Sequence, residues 1–314
     1  MIVPAIALVV AMGLGLVVTP LVRAAAVDRE LLDQPGGRKT HVRAIPRLGG
    51  AAMLFAFLVA IGVAVAGGRL AGVEVAGAAL VPIMVGAALV GAVGLVDDLR
   101  DLSPLAKLAG QVVASVAVVA LGLTVTDLAT PWGTLQLGAA GPVVTVAWLV
   151  AVVNAVNLID GLDGLAGGVA LATLLAIAAI AASLDAGTVL LVAAAAAGAL
   201  IAFLCFNRPP ASIIMGDAGS MFLGMLLGTC GVALVIAEPR SISPAIAIVA
   251  LGVPLADMTW AVVRRLAAGR SIFAADSGHI HHQLIARGLG QGGATLVLVA
   301  ASAGLGLLSF LLAR

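Results

Sequence analysis

Long stretches in which almost every side chain is hydrocarbon alternate along this chain with short stretches in which polar residues cluster. An α-helix needs about 20 apolar residues to cross roughly 30 Å of hydrocarbon. About ten such runs are present, near 2–22, 48–67, 77–96, 105–123, 141–158, 165–183, 188–206, 220–237, 244–263 and 294–312. Gly and Ala recur within them, which lets helices approach closely in lipid. The pattern predicts an all-α polytopic membrane protein, one domain over 1–314 with about ten transmembrane helices. Between the runs near 105–123 and 141–158, the alternation Thr134-Leu135-Gln136-Leu137 after Pro131-Trp132-Gly133 predicts a small hairpin.

Ten spans alternate the exposed segments between two sides. All but three of the 16 basic residues, the exceptions being Arg69, Arg240 and Arg314, then share one side. By the positive-inside rule that side is cytoplasmic and both termini lie outside. No Lys or Arg precedes the first run, so the basic region of a signal peptide is missing. The run is expected to remain as a span, although Ala24 to Ala26 imitate a cleavage site. The chain is 62% apolar and 10% charged, far from the make-up of soluble domains. A net charge of +1 gives no basic excess for nucleic acid. Cys205 and Cys230 stand in apolar runs without polar partners and read as small core residues.

The polar clusters fall on the cytoplasmic side. Asn154, Asn157, Asp160 and Asp163 recur every third residue, a slowly winding stripe if the helix continues through them. Such a stripe is costly in a membrane chain and points to a site, though Asn and Asp also cap helices. At Gly94-Leu-Val-Asp97-Asp98-Leu-Arg100-Asp101 a span runs straight into carboxylates. Asp97 and Asp98 suit a general base, a metal site or binding of a cation carried in by a phosphate; a solvated helix end is the plainer alternative. Ser103-Pro104 starts the next helix, with Lys107 one turn in. Asp217 stands between Gly216 and Gly219 ahead of the eighth span, where backbone can approach a ligand, or where the aspartate simply caps the helix. His279, His281 and His282 lack the i, i+4 spacing of a helical zinc pair and have no cysteine to help. They are expected to donate hydrogen bonds to phosphate oxygens. The first loop adds Lys39, His41 and several arginines, a basic strip suited to an anion or to the positive-inside signal alone. Carboxylates beside a phosphate substrate imply a divalent cation between them, with magnesium the usual choice.

Taken in order, these blocks from Arg38 to His282 resemble the polyprenyl-phosphate N-acetylhexosamine-1-phosphate transferases. The resemblance implies ten or eleven transmembrane helices around a cytoplasm-facing cleft. It also implies magnesium-dependent transfer of a sugar 1-phosphate from a UDP-sugar to a polyprenyl phosphate, with release of UMP. Manganese is an alternative ion. By this likeness Asp97 and Asp98 are catalytic, acting on the lipid phosphate, and Asp217 and Asn157 hold the metal. Asn154, Asp160, Asp163, Lys39, His41, His279, His281 and His282 bind substrate. The blocks His279-Ile-His281-His282 and Ala44-Ile-Pro46-Arg47-Leu-Gly49-Gly50 look like the branch that uses UDP-GlcNAc with undecaprenyl or decaprenyl phosphate. An eleventh helix seen in some members of that branch has no counterpart in the sequence. A phospho-MurNAc-pentapeptide transferase is the alternative within the family, and an ion-coupled transporter the alternative outside it. The expected partners are the UDP-sugar, the lipid phosphate and the membrane, with a homodimer as a further option. The expected place is the plasma membrane, with the active site on its cytoplasmic face.

Overall fold

A computed structural model describes residues 2–34, 44–72, 77–130, 132–237, 242–272 and 278–314. In lipid every backbone N–H and C=O needs an internal partner, so the apolar runs become helices. In chain order these are α1 (Ile2–Asp28), a two-residue β1 (Leu32–Asp33) paired antiparallel with β2 (Ile45–Pro46), α2 (Gly49–Leu70) and α3 (Leu80–Arg100). Next come α4 (Pro104–Ala120), the hairpin β3 (Asp127–Thr130) and β4 (Gly133–Gln136), α5 (Gly141–Ile159), α6 (Leu165–Ser183) and α7 (Gly187–Asn207). The rest is α8 (Gly216–Val235), α9 (Pro244–Ala250), α10 (Gly252–Ala267), α11 (Ile280–Ala286) and α12 (Gln291–Leu312). The expected hairpin is there, with Leu128 opposite Leu135.

Helix α8 is the axis of the bundle, buried from Ala218 to Val235 without interruption. Helices α2, α3 and α5 pack around it, α7 carries α1 on its outer side, and α12 lies against α6 and α9. The approaches are close because the crossing residues are small. A Cβ on Gly50 would meet the backbone nitrogen of Gly219 at 2.0 Å, so α2 and α8 touch backbone to backbone there.

Among the described residues eight helices are long and apolar enough to cross a membrane, or nine if α9 and α10 count as one broken span. That is fewer than the ten straight spans expected, for two local reasons. Helix α4 has 17 residues, about 25 Å of rise, short of the hydrocarbon thickness. The run near 244–263 is bent by 84° between α9 and α10. Pro254 has no N–H to give the Ala250 carbonyl one turn earlier, and its ring crowds that turn. The Thr173 hydroxyl takes the carbonyl instead, at 3.2 Å. Cys230 is buried as expected, whereas Cys205 is on the outer surface of α7.

Candidate active site

The carboxylates at the end of α3 face in two directions because neighbours on a helix differ by about 100°. The Asp97 Oδ1 accepts from Leu102 N at 2.7 Å, satisfying a donor in the turn where the chain leaves α3 through Asp101 in the left-handed region. Ser103 caps α4, accepting from Ala106 N, and Pro104 sits at its first position. This start places Lys107 one turn in, where its Nζ reaches Asp97 Oδ2 at 2.7 Å and Asp217 Oδ2 at 3.0 Å. One ammonium therefore bridges two carboxylates.

Asp98 turns the other way and caps a different helix. Its Oδ1 accepts from Asp217 N at 2.8 Å and its Oδ2 from Ala218 N at 3.0 Å, two of the free donors at the start of α8. The contact needs Gly216, whose φ is +72° and whose Cβ, if present, would meet the Asp98 carboxylate at 2.6 Å. The glycine ahead of Asp217 thus serves the seat of Asp98 as well as any ligand.

The stripe of every third residue does not stay on one helix. Helix α5 ends at Ile159, so Asp160 and Asp163 belong to the turn that follows. Asn157 donates to Asp217 Oδ1 and to Ser220 Oγ, the latter at 2.9 Å. Asn154 is drawn away toward α4, donating to Gln111 Oε1 at 2.6 Å and to the Val150 carbonyl at 2.8 Å. Asp163 Oδ2 accepts from Ala211 N at 2.9 Å, and Asn207 ties the same turn by accepting from Gly164 N and donating to the Ile213 carbonyl. Asp160 faces the cavity. Burial, reinforced by the charges of Asp217, Asp98 and Asp163, pushes its carboxyl up to about 8.

The histidines complete the lining, with His281 packed against the turn that carries Asp160. The His279 and His281 rings stack with centroids 5.8 Å apart and planes 6° from parallel, and His282 tilts against His281 at 4.2 Å. His279 Nδ1 lies 2.8 Å from Asp257 Oδ2. His281 is 2% exposed, and neither ring nitrogen meets a hydrogen-bond partner among the described residues. Burial and then the neighbouring His282 hold it down at about 4, so it is neutral in the folded protein. A Cβ on Gly161 would strike its Nε2 at 2.5 Å.

Among these groups is a cavity of about 440 Å³, within the range of small-molecule sites. It is lined by Asp98, Asn157, Asp160, Asp163, Asp217, Arg47, His279, His281 and His282 among others. Asp97 and Asn154 are not in its wall; they stand behind it, one on Lys107 and one on Gln111. Lys39, His41 and Asp276 lie outside the described residues. Lys107, Ser220, Gln111 and Asp257 are the participants that the polar pattern did not single out. For Asp257 the signal was available, since an ionisable residue inside an apolar run is a functional flag by itself.

No group of three or more His, Cys, Asp or Glu among the described residues forms a ready cation cage. The donor set nonetheless suits a hard cation that keeps most of its waters. It offers carboxylate and amide oxygens without a thiolate, four of the carboxylates being Asp98, Asp160, Asp163 and Asp217 in the lining of one cavity. An acidic cavity at the ends of apolar helices, lined also by imidazoles and backed by a lysine-bridged aspartate pair, defines a polytopic membrane protein with a site suited to phosphate chemistry.

Comparison with known proteins agrees with this class and narrows it. Residues 80–235 match the family described as Glycosyl transferase family 4. The chain is 35% identical to a probable undecaprenyl-phosphate N-acetylglucosaminyl 1-phosphate transferase of Bacillus subtilis, over 93% of this chain and 80% of that protein. It is 34% identical to the decaprenyl-phosphate N-acetylglucosaminephosphotransferase of Mycobacterium leprae, over 85% and 73%. It is 30% identical to the undecaprenyl-phosphate alpha-N-acetylglucosaminyl 1-phosphate transferase of Thermotoga maritima, over 88% and 80%. The chain belongs to this family of polyprenyl-phosphate N-acetylglucosaminyl-1-phosphate transferases.

Proposed function

We propose that this protein transfers N-acetylglucosamine 1-phosphate from UDP-GlcNAc to undecaprenyl or decaprenyl phosphate, releasing UMP, as the first membrane step of a cell-wall or surface polysaccharide. The observation that carries the reading is the bridge from Lys107 to Asp97 and Asp217 behind a cavity lined by carboxylates and histidines. The names of the relatives support the sugar and the two lipid chain types. The cavity opens to the cytoplasm in this reading, because the basic residues are concentrated on that side of the predicted topology.

In the reaction an oxygen of the lipid phosphate attacks the sugar-bearing phosphorus of the donor. A new P–O–P bond forms, the bond to the bridging oxygen breaks, and UMP leaves with the electron pair. Transfer of this kind asks a protein mainly for positioning and charge control. Asp98 is the member of the aspartate pair that reaches the cavity, fixed there by its two bonds to the start of α8. Asp97 acts through Lys107, holding its ammonium against Asp217. His281, buried and neutral, is part of the cavity lining, and its two ring nitrogens have no hydrogen-bond partner among the described residues. Asp217 and Asn157 would hold magnesium, with manganese as a substitute. The ion supplies the positive charge that lets phosphates enter a wall of carboxylates.

The test is UMP release by the purified protein in detergent with polyprenyl phosphate and magnesium, comparing UDP-GlcNAc with UDP-MurNAc-pentapeptide. Release with UDP-GlcNAc alone, abolished by a chelator and by Asp217→Ala, supports the reading. Release with the pentapeptide donor alone overturns the sugar. Silence with both donors in folded protein overturns the assignment.

A further inference from the structure

Asp257 is 2% exposed in the second turn of α10, the arm that Pro254 bends out of line with α9. A buried carboxylate in such a place needs partners, and it has two from consecutive residues. Its Oδ2 stands 2.8 Å from His279 Nδ1, and its Oδ1 accepts from Ile280 N at 2.8 Å. His279 is the residue before α11 and Ile280 the first residue within it. One carboxylate thus grips the ring and the backbone beside it, two restraints that leave the ring little freedom to turn. An ionised carboxylate only accepts hydrogen bonds, so the ring hydrogen facing it is on Nδ1. His279 Nε2 is the remaining nitrogen of a ring that lines the cavity and stacks parallel to His281.

We propose that Asp257 is a positioning residue for sugar-phosphate transfer: it fixes the orientation of His279 and the placement of its ring hydrogen, and so presents Nε2 to the phosphates of the donor. The bent pair of helices is then part of the site's construction, since it brings a buried carboxylate to the base of the histidine cluster. Carboxylate partners of metal-bound histidines commonly matter by about 10- to 100-fold in activity, and the same scale is expected for this pair. The inference rests on the proposed transfer reaction, and its tests are arranged so that the two can fail separately.

The first test is a double-mutant cycle on donor kcat/KM at saturating lipid phosphate, with Asp257→Asn, His279→Ala and the pair. Asn can still accept from Ile280 N through its one oxygen, but it sets an amide donor against Nδ1. Asp257→Asn is expected to lose about 10- to 100-fold, Asp257→Glu less, and the double variant no more than His279→Ala alone. Multiplying losses in the double variant would mean that Asp257 merely supports the fold, and would overturn the proposal. The second test needs no turnover. Nitrogen-15 shifts of the His279 ring in the wild-type protein should show hydrogen on Nδ1, and that signature should be lost in Asp257→Asn. A bare Nδ1 in the wild type overturns the proposal whether or not the substitution folds. Absence of UMP release from the wild type would instead count against the transfer reaction, leaving the ring shifts to decide on Asp257.

Discussion

Replacing Lys107 by Met removes the one cation among the described residues that touches both Asp97 and Asp217. The side chain keeps its length and its apolar stem but leaves two carboxylates facing each other. At an effective dielectric constant of about 20, unit charges about 3 Å apart interact by about 5 kcal/mol. Desolvation of the buried groups cancels much of that in the intact bridge. Removing one partner is different, because the carboxylates stay behind uncompensated, at a cost of about 3 to 5 kcal/mol. The Lys107 side chain is 25% exposed, which favours the lower end. If the site keeps its fold and the stranded charges oppose the transition state by the same amount, about 3 kcal/mol corresponds to roughly 100-fold in rate. Initial rates of UMP release should therefore show Lys107→Met down about 100-fold in kcat/KM, with a lower Tm in detergent. Lys107→Arg keeps the charge but spreads it over a planar fork that cannot sit between the same two oxygens, and should lose about 10-fold. Adding Asp97→Asn to Lys107→Met removes one of the two stranded charges and should recover part of the lost Tm. An Lys107→Met enzyme within about threefold of wild type, or a double variant less stable than either single one, would refute the bridge as the organiser of this site.

The raised carboxyl of Asp160 makes a signed prediction. Its folded value of about 8 lies above its ordinary value, so it favours the fold most at low pH and that contribution is lost as pH rises through about 8. The Tm of ligand-free protein should fall between about pH 5 and pH 8.5, and Asp160→Asn should flatten the slope; equal slopes in the two proteins would show that Asp160 is not the group responsible. Gly161→Ala sets a methyl 2.5 Å from His281 Nε2, displacing the ring without touching a charged group. It should lower turnover by about 10-fold or more with Tm changed by only a few degrees, in line with the about 1 to 3 kcal/mol of a local overpacking. Wild-type kcat/KM in that variant would mean that the His281 ring has no part in turnover.

Much of the site could be read from spacing. Asp97, Asp98, Asn157, Asp160, Asp163 and Asp217 stand out because each lies in or beside the end of an apolar run, and the three histidines because they cluster within four positions. Asn154 obeys the same spacing, yet the structure spends it on Gln111, a residue whose burial in α4 no local pattern announces. Lys107 looked like an ordinary charge one turn into a helix. Its value lies in reaching Asp217, which is 110 residues away. The stripe itself was legible as composition but not as geometry, because helix α5 stops before its last two members.

The sequence by itself determined that this chain is a bundle of membrane helices and that its candidate site residues gather where polar clusters interrupt them. Both follow from the cost of placing peptide and charged groups in hydrocarbon, a cost paid residue by residue and so visible locally. Only the tertiary structure decided which partner each carboxylate meets. Asp97 and Asp98 are neighbours of the same type, and they differ because one meets Lys107 and the other meets the start of α8. It also decided that Asp257 belongs with His279. Hydrogen bonds and charges depend on distances of about 3 Å between groups that packing brings together, and no pattern of nearby residues encodes such a meeting.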